Sequence, residues 1–257
     1  MKILAMDYDG TLKIDGEVSA KDLTAIERWK KAGNVFVIDT GRSLESIQME
    51  AKTWGFVPDY WITNNGGMVF DREGTVLSAS VIDSVMSVDI MYIAHAVGNV
   101  VSYVVNDGIY RHRVIIDEKE ADQRYPELEP DLTEEEVMQL PRHAQIVISM
   151  NSIEEARLLA ERIRSHFPYL VEAYANKYVV DVVPYGISKA GGLDYLRNRL
   201  GVDVKDIYTL GDAENDIPLM EYGIHGACIR NSPEEVRSHA KILCDSAAEL
   251  IDGIMAE

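Results

Sequence analysis

The amino-acid sequence predicts an α/β protein whose core is a parallel sheet with helices on both faces, and which carries a second, inserted α/β module. Short apolar segments alternate with amphipathic segments near both ends of the chain, which is typical of a covered parallel sheet. The middle of the chain contains hairpin signals instead, and a hairpin joins antiparallel strands. The length of 257 residues suits one large core with an inserted module.

The first part of the chain supplies three strands and two helices of the predicted core. Three short apolar runs indicate buried strands, at residues 2–6, 35–38 and 60–63. Two amphipathic segments between them predict helices, at residues 19–32 and 43–54. Gly33 and Gly55 follow these segments and are expected to end the helices.

The same pattern returns in the last part of the chain. Apolar runs predict three more strands, at residues 206–210, 227–229 and 242–244. Helical spacing predicts helices at residues 188–200 and 214–222. The second helix tolerates Pro218 only if this residue lies in its first turn. Capping-box patterns at Ser232 and Ser246 predict two closing helices.

The middle of the chain predicts a helix followed by two strands, and this unit occurs twice. The helices are expected at residues 83–97 and 152–167, and the strand pairs at 100–105 with 109–116 and at 170–175 with 178–183. A further helix and strand are expected between the two copies, at residues 133–140 and 145–150. We therefore expect a split core formed by residues 1–80 and 186–257, with an inserted domain at 81–185.

The chain is strongly acidic, with 25 Lys and Arg against 43 Asp and Glu and a net charge of −18. This charge argues against nucleic acid and against anionic membranes as partners. Residues 117–136 hold ten acidic and two basic side chains. We interpret this segment as a solvated surface, and a docking site for a basic partner is the alternative.

Cys228 and Cys244 lie in short apolar runs without metal-binding spacing, which predicts two buried free thiols in a reducing compartment. No apolar run approaches the ~20 residues of a membrane-spanning helix, and the first residues meet charge too early for a signal peptide. We therefore expect a cytoplasmic protein, and the oligomeric state stays open between monomer and dimer.

Polar side chains follow four of the predicted strands, at the sheet edge where open α/β proteins bind ligands. They are Asp7, Asp9, Thr40, Arg42, Asn64, Asn65, Asp212, Asn215 and Asp216. Lys189 opens a predicted helix. Asp39 precedes Thr40, and because side chains alternate along a strand we expect it to point the other way and to be structural.

The types of these residues predict phosphoryl chemistry. Carboxylates that converge without His or Cys favour a hard cation such as Mg²⁺, and a lysine with a hydroxyl suits the charge of a phosphoryl group. A carboxylate such as Asp7 can attack phosphorus and form an aspartyl-phosphate. A second carboxylate two residues later, Asp9, can protonate the leaving alcohol and then deprotonate water.

Four segments resemble, in order, the motifs of the haloacid dehalogenase-like superfamily. Residues 7–11 (DYDGT) are similar to its first motif, DxDGT, and residues 40–42 (TGR) to its second. Lys189 is similar to the third motif and residues 211–216 (GDAEND) to the fourth. Their order and spacing resemble the Cof-type sugar-phosphatase-like branch, which has a Rossmann-like core and a large α/β cap inserted between the second and third motifs.

The resemblance implies a phosphatase that needs Mg²⁺, forms an aspartyl-phosphate and acts on a small phosphorylated metabolite. Asp7 would be the nucleophile and a metal ligand. Asp9 would be the general acid and base, with its backbone carbonyl on the metal, and Asp212 would complete the Mg²⁺ site. Asp216 would help to orient these groups.

The resemblance also implies a set of substrate-binding residues. Thr40 and Lys189 would hold the phosphoryl oxygens as catalytic residues, and Gly41, Arg42 and Asn215 would join them in binding the substrate. In the inserted domain, His112 and Arg113 of the first hairpin are expected to contact the part of the substrate beyond the phosphate. The alternative for these two is that they are ordinary strand residues that face water.

Two other functions fit the same residues. A phosphomutase would pass the phosphate from Asp7 to a second sugar hydroxyl and would need a bisphosphate. A phosphate-ligand sensor would respond by cap closure without catalysis, and the presence of Asp9 and Lys189 argues against it. The sequence contains no GxSxG, GxGxxG or GxxxxGK[ST] segment and no zinc-binding histidine spacing, which argues against serine hydrolases, dinucleotide enzymes, P-loop NTPases and His-based metal sites.

Overall fold

A computed structural model of the protein describes residues 1–117 and 128–256. The chain divides into two compact units: Met1–Ala79 with Ser188–Glu257, and Ser80–Ile187. Residues 118–127 of the acidic segment lie outside the described residues, so the interpretation of that segment stays a prediction. No helix among the described residues is both long enough and apolar enough to cross a bilayer.

The first stretch of unit 1 contains seven strands and two helices. The strands are β1 (Ile3–Met6), β2 (Lys13–Ile14), β3 (Glu17–Val18), β4 (Val35–Asp39), β5 (Tyr60–Thr63), β6 (Met68–Asp71) and β7 (Val76–Ala79), and the helices are α1 (Ala20–Lys31) and α2 (Leu44–Trp54). Ser19 caps α1 by accepting the N–H of Asp22 at 3.1 Å. Gly55 ends α2 in the left-handed conformation, as predicted.

Unit 2 begins with β8 (Ile82–Asp83), α3 (Ser84–Val97), β9 (Val100–Asn106), β10 (Arg111–Ile115) and α4 (Glu134–Met138). It continues with β11 (Arg142–His143), β12 (Gln145–Met150), α5 (Ile153–His166), β13 (Val171–Asn176) and β14 (Val179–Pro184). The two predicted helix–strand–strand units are confirmed, because β9 pairs with β10 and β13 pairs with β14, each antiparallel.

The last stretch of unit 1 contains α6 (Lys189–Leu200), β15 (Ile207–Gly211), α7 (Ile217–Glu221), β16 (His225–Ile229), α8 (Glu234–Arg237), β17 (Ile242–Cys244) and α9 (Ala247–Ala256). The helix predicted at residues 214–222 begins later, because Glu214–Asp216 form a 3-10 helix and α7 starts at Ile217, which puts Pro218 in its first turn. The capping box predicted at Ser232 is wrong, because Pro233 occupies the N-cap and its carbonyl accepts the N–H of Val236. Ser246 does accept the N–H of Glu249, at 3.2 Å.

The sheet of unit 1 has eight strands in the order β17-β16-β15-β1-β4-β5-β6-β7. All neighbours from β17 to β5 are parallel, which confirms the predicted parallel sheet. The hairpin β6–β7 adds two antiparallel strands at one edge. The sequence pattern did not predict this hairpin, because β7 is half-buried and its apolar run is correspondingly weak.

Apolar side chains pack between this sheet and helices α6 and α7. The buried members are Ile3, Ala5, Val37, Ile62, Val69, Leu193, Leu196, Val202, Ile207 and Leu219. All four residues of β1 are buried, as expected for a central strand with both faces covered. The carboxyl ends of β1, β4, β5 and β15 therefore meet at one edge, on a rigid support.

Unit 2 has a five-stranded antiparallel sheet in the order β10-β9-β12-β14-β13. Its core includes apolar side chains of α3, α5 and the strands, among them Ile90, Met91, Tyr103, Ile146, Ile148, Leu159, Ile163, Val180 and Val182. The unit therefore has a hydrophobic core of its own.

His143 of β11 makes unit 2 sensitive to pH. Its side chain is fully buried, and Nε2 lies 3.2 Å from the carbonyl oxygen of Val137. Burial lowers the pKa of His143 below its ordinary value of 6.5. The unfolded chain therefore binds more protons than the folded chain just below pH 6.5, and stability falls as the pH falls through this range.

We expect the variant His143→Gln to remove this pH dependence, because glutamine keeps a donor for Val137 and does not titrate. The free energy of unfolding, measured by denaturant titration between pH 5 and 8, should fall more steeply on acidification in the wild type than in the variant. Every other group is common to the two proteins, so its contribution cancels in the difference. Parallel pH profiles would contradict the prediction.

Candidate active site

The strand ends bring the polar residues of unit 1 to one edge of the sheet. The N–H of Asp7 donates to the carbonyl of Leu210 at the end of β15, at 3.0 Å. The N–H of Thr40 donates to the carbonyl of Ile62 on β5, at 2.9 Å. The backbone ladder therefore continues past the strands and holds these two residues in place.

Lys189 lies between two carboxylates beneath this edge. Its side chain is 0% exposed, and Nζ is 2.5 Å from Oδ1 of Asp7 and 2.5 Å from Oδ1 of Asp216. Burial opposes the charge of the amine, but Asp7 and Asp216 outweigh it and raise the pKa of Lys189. Lys189 is therefore an ammonium group fixed against Asp7.

Asp212 adds a third carboxylate to Asp7 and Asp216, and the three lie close enough together to hold a cation. Oxygens of Asp7, Asp212 and Asp216 lie within 4.8 Å of one another. Burial raises the pKa of Asp7 to about 7 against the opposing charge of Lys189, and repulsion from Asp216 adds to the shift. Burial also raises the pKa of Asp212. This excess of negative oxygen donors fits Mg²⁺.

Asp216 differs from the other two carboxylates in its contacts. Its Oδ2 accepts the backbone N–H groups of Asp212 and Ala213, at 2.9 and 3.0 Å, while Oδ1 faces Lys189. Both of its oxygens are therefore engaged with protein donors, and it supports the loop after β15. Asp7 and Asp212 are the carboxylates better placed to bind a metal.

Asp212 approaches the loop after β1 because that loop contains a glycine. A Cβ atom on Gly10 would lie 2.3 Å from Oδ2 of Asp212, and Gly10 has a φ of +89°. The hydroxyl of Thr11 donates to Oδ1 of Asp212 at 2.5 Å. The first and fourth motif segments are thus in direct contact.

Asp9 is held by a bidentate ion pair with Arg42. The Nε–Oδ2 and Nη2–Oδ1 distances are 2.6 and 2.7 Å, and the side chain of Asp9 is 52% exposed. Arg42 also lies over the ring of Tyr8 and 3.3 Å from Oε1 of Glu50. Asp9 is therefore at the solvent side of the site, with its carboxylate already oriented.

Glu50, on α2, is a member of this network that the sequence did not indicate. Its Oε2 accepts the hydroxyl of Tyr8 at 2.5 Å and the ammonium of Lys13 at 2.8 Å. Burial opposes its charge, but these two partners and Arg42 lower the pKa of Glu50 to about 2. A polar residue within an amphipathic helix gives no signal of such a role, because most such residues face water.

Asp39 lies beside Asp7 beneath the site. Residues Ile38 and Met6 are paired across β4 and β1, so Asp39 and Asp7 follow on the same face of the sheet. Asp39 is fully buried, and neither of its oxygens has a hydrogen-bond partner among the described residues. Burial holds the pKa of Asp39 well above its ordinary range, against the opposing charge of Lys189.

Asn215 and Gly41 meet the turn after β5. Nδ2 of Asn215 donates to Oδ1 of Asn65 at 3.1 Å, and a Cβ on Gly41 would lie 3.0 Å from the same oxygen. Thr40 is buried, and its Oγ1 accepts the N–H of Arg42 at 3.2 Å. The turn at Asn65 therefore links the segment with Asn215 to the segment with Thr40 and Gly41.

His112 and Arg113 belong to unit 2, and their partners lie there. Nδ1 of His112 is 2.7 Å from Oδ2 of Asp131. Arg113 is nearly buried and donates from Nη1 to the carbonyl of Leu128 at 2.9 Å. Both side chains are thus held by their own unit, and their contact with a substrate stays a prediction.

A comparison with family models identifies the chain. A model described as haloacid dehalogenase-like hydrolase matches residues 4–257. The chain belongs to this family. The four motif segments of this haloacid dehalogenase-like hydrolase all lie at the edge of the parallel sheet described above.

Relatives of this hydrolase carry names of phosphatases. The HMP-PP phosphatase of Serratia proteamaculans is 25% identical over 241 residues, which cover 92% of this chain and 86% of that protein. The 5-amino-6-(5-phospho-D-ribitylamino)uracil phosphatase YwtE of Bacillus subtilis is 22% identical over 280 residues, covering 97% and 94%. A solved structure of a subclass IIB sugar phosphatase shares the fold, with a TM-score of 0.76, 19% identity and full coverage of both chains.

Proposed function

We propose that this haloacid dehalogenase-like hydrolase is a Cof-type, Mg²⁺-dependent phosphatase that hydrolyses small phosphorylated metabolites through an aspartyl-phosphate on Asp7. The observation that carries the proposal is the position of Asp7, 2.5 Å from a buried ammonium group and within a group of oxygen donors that fits a cation. The phosphatase names of the relatives support the reaction class. The two buried free thiols support a cytoplasmic location.

The metal would be held by the carboxylates of Asp7 and Asp212, with the backbone carbonyl of Asp9 as a further donor. When bound, Mg²⁺ would offset the negative charges of these carboxylates and of the phosphoryl group. Lys189, whose ammonium group lies 2.5 Å from Asp7, would supply a positive charge for a phosphoryl oxygen. The hydroxyl of Thr40 is a donor for another, so that the charge of the transferring group is met from several directions.

The reaction consists of two displacements at phosphorus. In the first, a carboxylate oxygen of Asp7 bonds to phosphorus, the ester bond breaks, and Asp9 gives its proton to the leaving oxygen. In the second, the Asp9 carboxylate takes a proton from water, the water oxygen bonds to phosphorus, and the bond to Asp7 breaks. Asp9 needs a proton for the first step, so its ion pair with Arg42 must open during the cycle.

A panel of phosphate esters tests this function. Purified protein is expected to release inorganic phosphate from at least one sugar phosphate, nucleotide or cofactor phosphate in the presence of Mg²⁺, and to stop when EDTA is added. The measurement is the rate of phosphate release, with each ester alone as the background. Absence of release from every ester, or release that EDTA leaves unchanged, would overturn the proposal.

A further inference from the structure

The turn that follows β5 has an unusual backbone. Asn64, Asn65 and Gly66 are three consecutive residues with left-handed φ values, of 53°, 54° and 95°. Residues other than glycine visit this region mostly as single positions. A run of this kind persists only where the surrounding structure fixes it, and such places are often functional.

The backbone of this turn is bonded to the segment with the second motif. The N–H of Asn64 donates to the carbonyl of Arg42, and the N–H of Asn65 donates to the carbonyl of Thr40, both at 3.0 Å. Two successive N–H groups of this left-handed turn thus donate to the same loop. The turn therefore fixes the residues on either side of Gly41.

Gly66 places the same turn against the start of α6. A Cβ atom on Gly66 would lie 1.9 Å from the carbonyl oxygen of Ser188, so only glycine permits this approach. A Cβ on Gly192 would lie 3.0 Å from the Cα of Gly66. The turn and the first turn of α6, which carries Lys189, are therefore packed backbone to backbone.

The side chain of Asn65 reaches the segment with the fourth motif. Its Oδ1 accepts the Nδ2–H of Asn215 at 3.1 Å and also lies over Gly41. Asn215 is exposed, so its amide is accessible to a ligand, and Asn65 is the group that orients it. One residue thus contacts two of the segments that are expected to bind the phosphoryl group, and its neighbour Gly66 contacts the third.

The geometry points to Asn65 as a positioning residue for the phosphoryl site, which acts by holding Asn215 and the loop at Thr40 in a single arrangement. This inference rests on the proposed function, since it takes the ligand to be a phosphoryl group. The inference gives a role to the turn after β5, which lies outside the four motif segments. Asn65 itself need not touch the substrate. Its backbone N–H holds the loop at Thr40, a link that a glycine would keep, and its side chain acts through Asn215.

Binding of inorganic phosphate by the Mg²⁺-loaded protein tests the inference without any need for turnover. The variants are Asn65→Gly, Asn215→Ala and the double variant, and calorimetry gives the dissociation constant of each. Glycine accepts the left-handed backbone, so Asn65→Gly removes the amide and keeps the turn. Asp15→Gly is the matched control, because Asp15 also has a left-handed φ, of 52°, at an exposed position.

We expect Asn65→Gly to weaken phosphate binding about tenfold, the factor that corresponds to one hydrogen bond, while the melting temperature changes no more than in Asp15→Gly. The double variant should bind phosphate no more weakly than the weaker single variant, because both substitutions break the same link. Phosphate binding that is unchanged in Asn65→Gly, or single effects that multiply in the double variant, would overturn the inference. A wild type that binds phosphate but hydrolyses no ester would instead count against the proposed function alone.

Discussion

The variant Asp7→Asn is expected to lose phosphate release by on the order of 10⁴-fold or more, the scale seen when an enzyme loses its nucleophile. An amide of the same size cannot form the acyl-phosphate bond under these conditions. The replacement is nearly isosteric, and Lys189 keeps Asp216 as a partner at 2.5 Å, so the fold should be retained. The measurement is the rate of phosphate release from an ester that the wild type hydrolyses, together with the melting temperature.

Asp15→Asn is the matched control for this variant. Asp15 is exposed, so the control makes the same chemical change away from the strand edge and should hydrolyse the ester at the wild-type rate. Turnover in Asp7→Asn within about tenfold of this control would show that another residue attacks phosphorus. A folded but inactive Asp7→Asn protein is the result that agrees with the mechanism.

The second large effect is expected for Lys189→Met, which should lower both stability and phosphate affinity. Methionine has a similar length but no charge, so Asp7 and Asp216 would remain buried without their cation. Breaking a buried ion pair from one side costs about 3–5 kcal/mol, and both partners here are buried. Denaturant unfolding in the absence of added metal measures the first effect, and binding of inorganic phosphate with Mg²⁺ measures the second.

Lys205→Met provides the comparison for this prediction. The side chain of Lys205 is 68% exposed and lies 3.8 Å from its carboxylate partner, Asp203, and surface pairs of this kind contribute about 0–1 kcal/mol. A loss of stability in Lys189→Met no larger than that in Lys205→Met would contradict the buried ion-pair arrangement. Unchanged phosphate affinity in a folded Lys189→Met protein would remove Lys189 from the proposed phosphoryl site.

Apart from Lys189, the core residues that the sequence predicts in the candidate site follow a strand. Asp7, Thr40 and Asp212 stand at the ends of short apolar runs, and parallel strands place their carboxyl ends together. The pattern of apolar runs was therefore sufficient to predict that these residues lie at one edge of the sheet. The parallel part of the sheet was predictable for the same reason, because its strands are buried on both faces.

The residues that sequence reasoning set aside depend on contacts between distant segments. Glu50 lies in the middle of α2, where a charged residue usually faces water, and only its approach to Lys13 and Tyr8 distinguishes it. Asp39 shares a face of the sheet with Asp7, and it feels the charge of Lys189, which begins a helix 150 residues later in the chain. The alternation of side chains along a strand predicts the face toward which a side chain points, but it does not predict which distant residue lies on that face.

The packing of Gly66 against Ser188 has a consequence for how this site can change. The distance from Lys189 to Asp7 depends on where the backbone of α6 begins, and that position is set by a contact without side chains. A substitution that adds a single carbon at residue 66 must push the helix outward and carry the ammonium group with it. Substitution is thus constrained at Gly66, although this residue has no side chain that could take part in the reaction. A redesign of the pocket has to change the turn after β5 and helix α6 together.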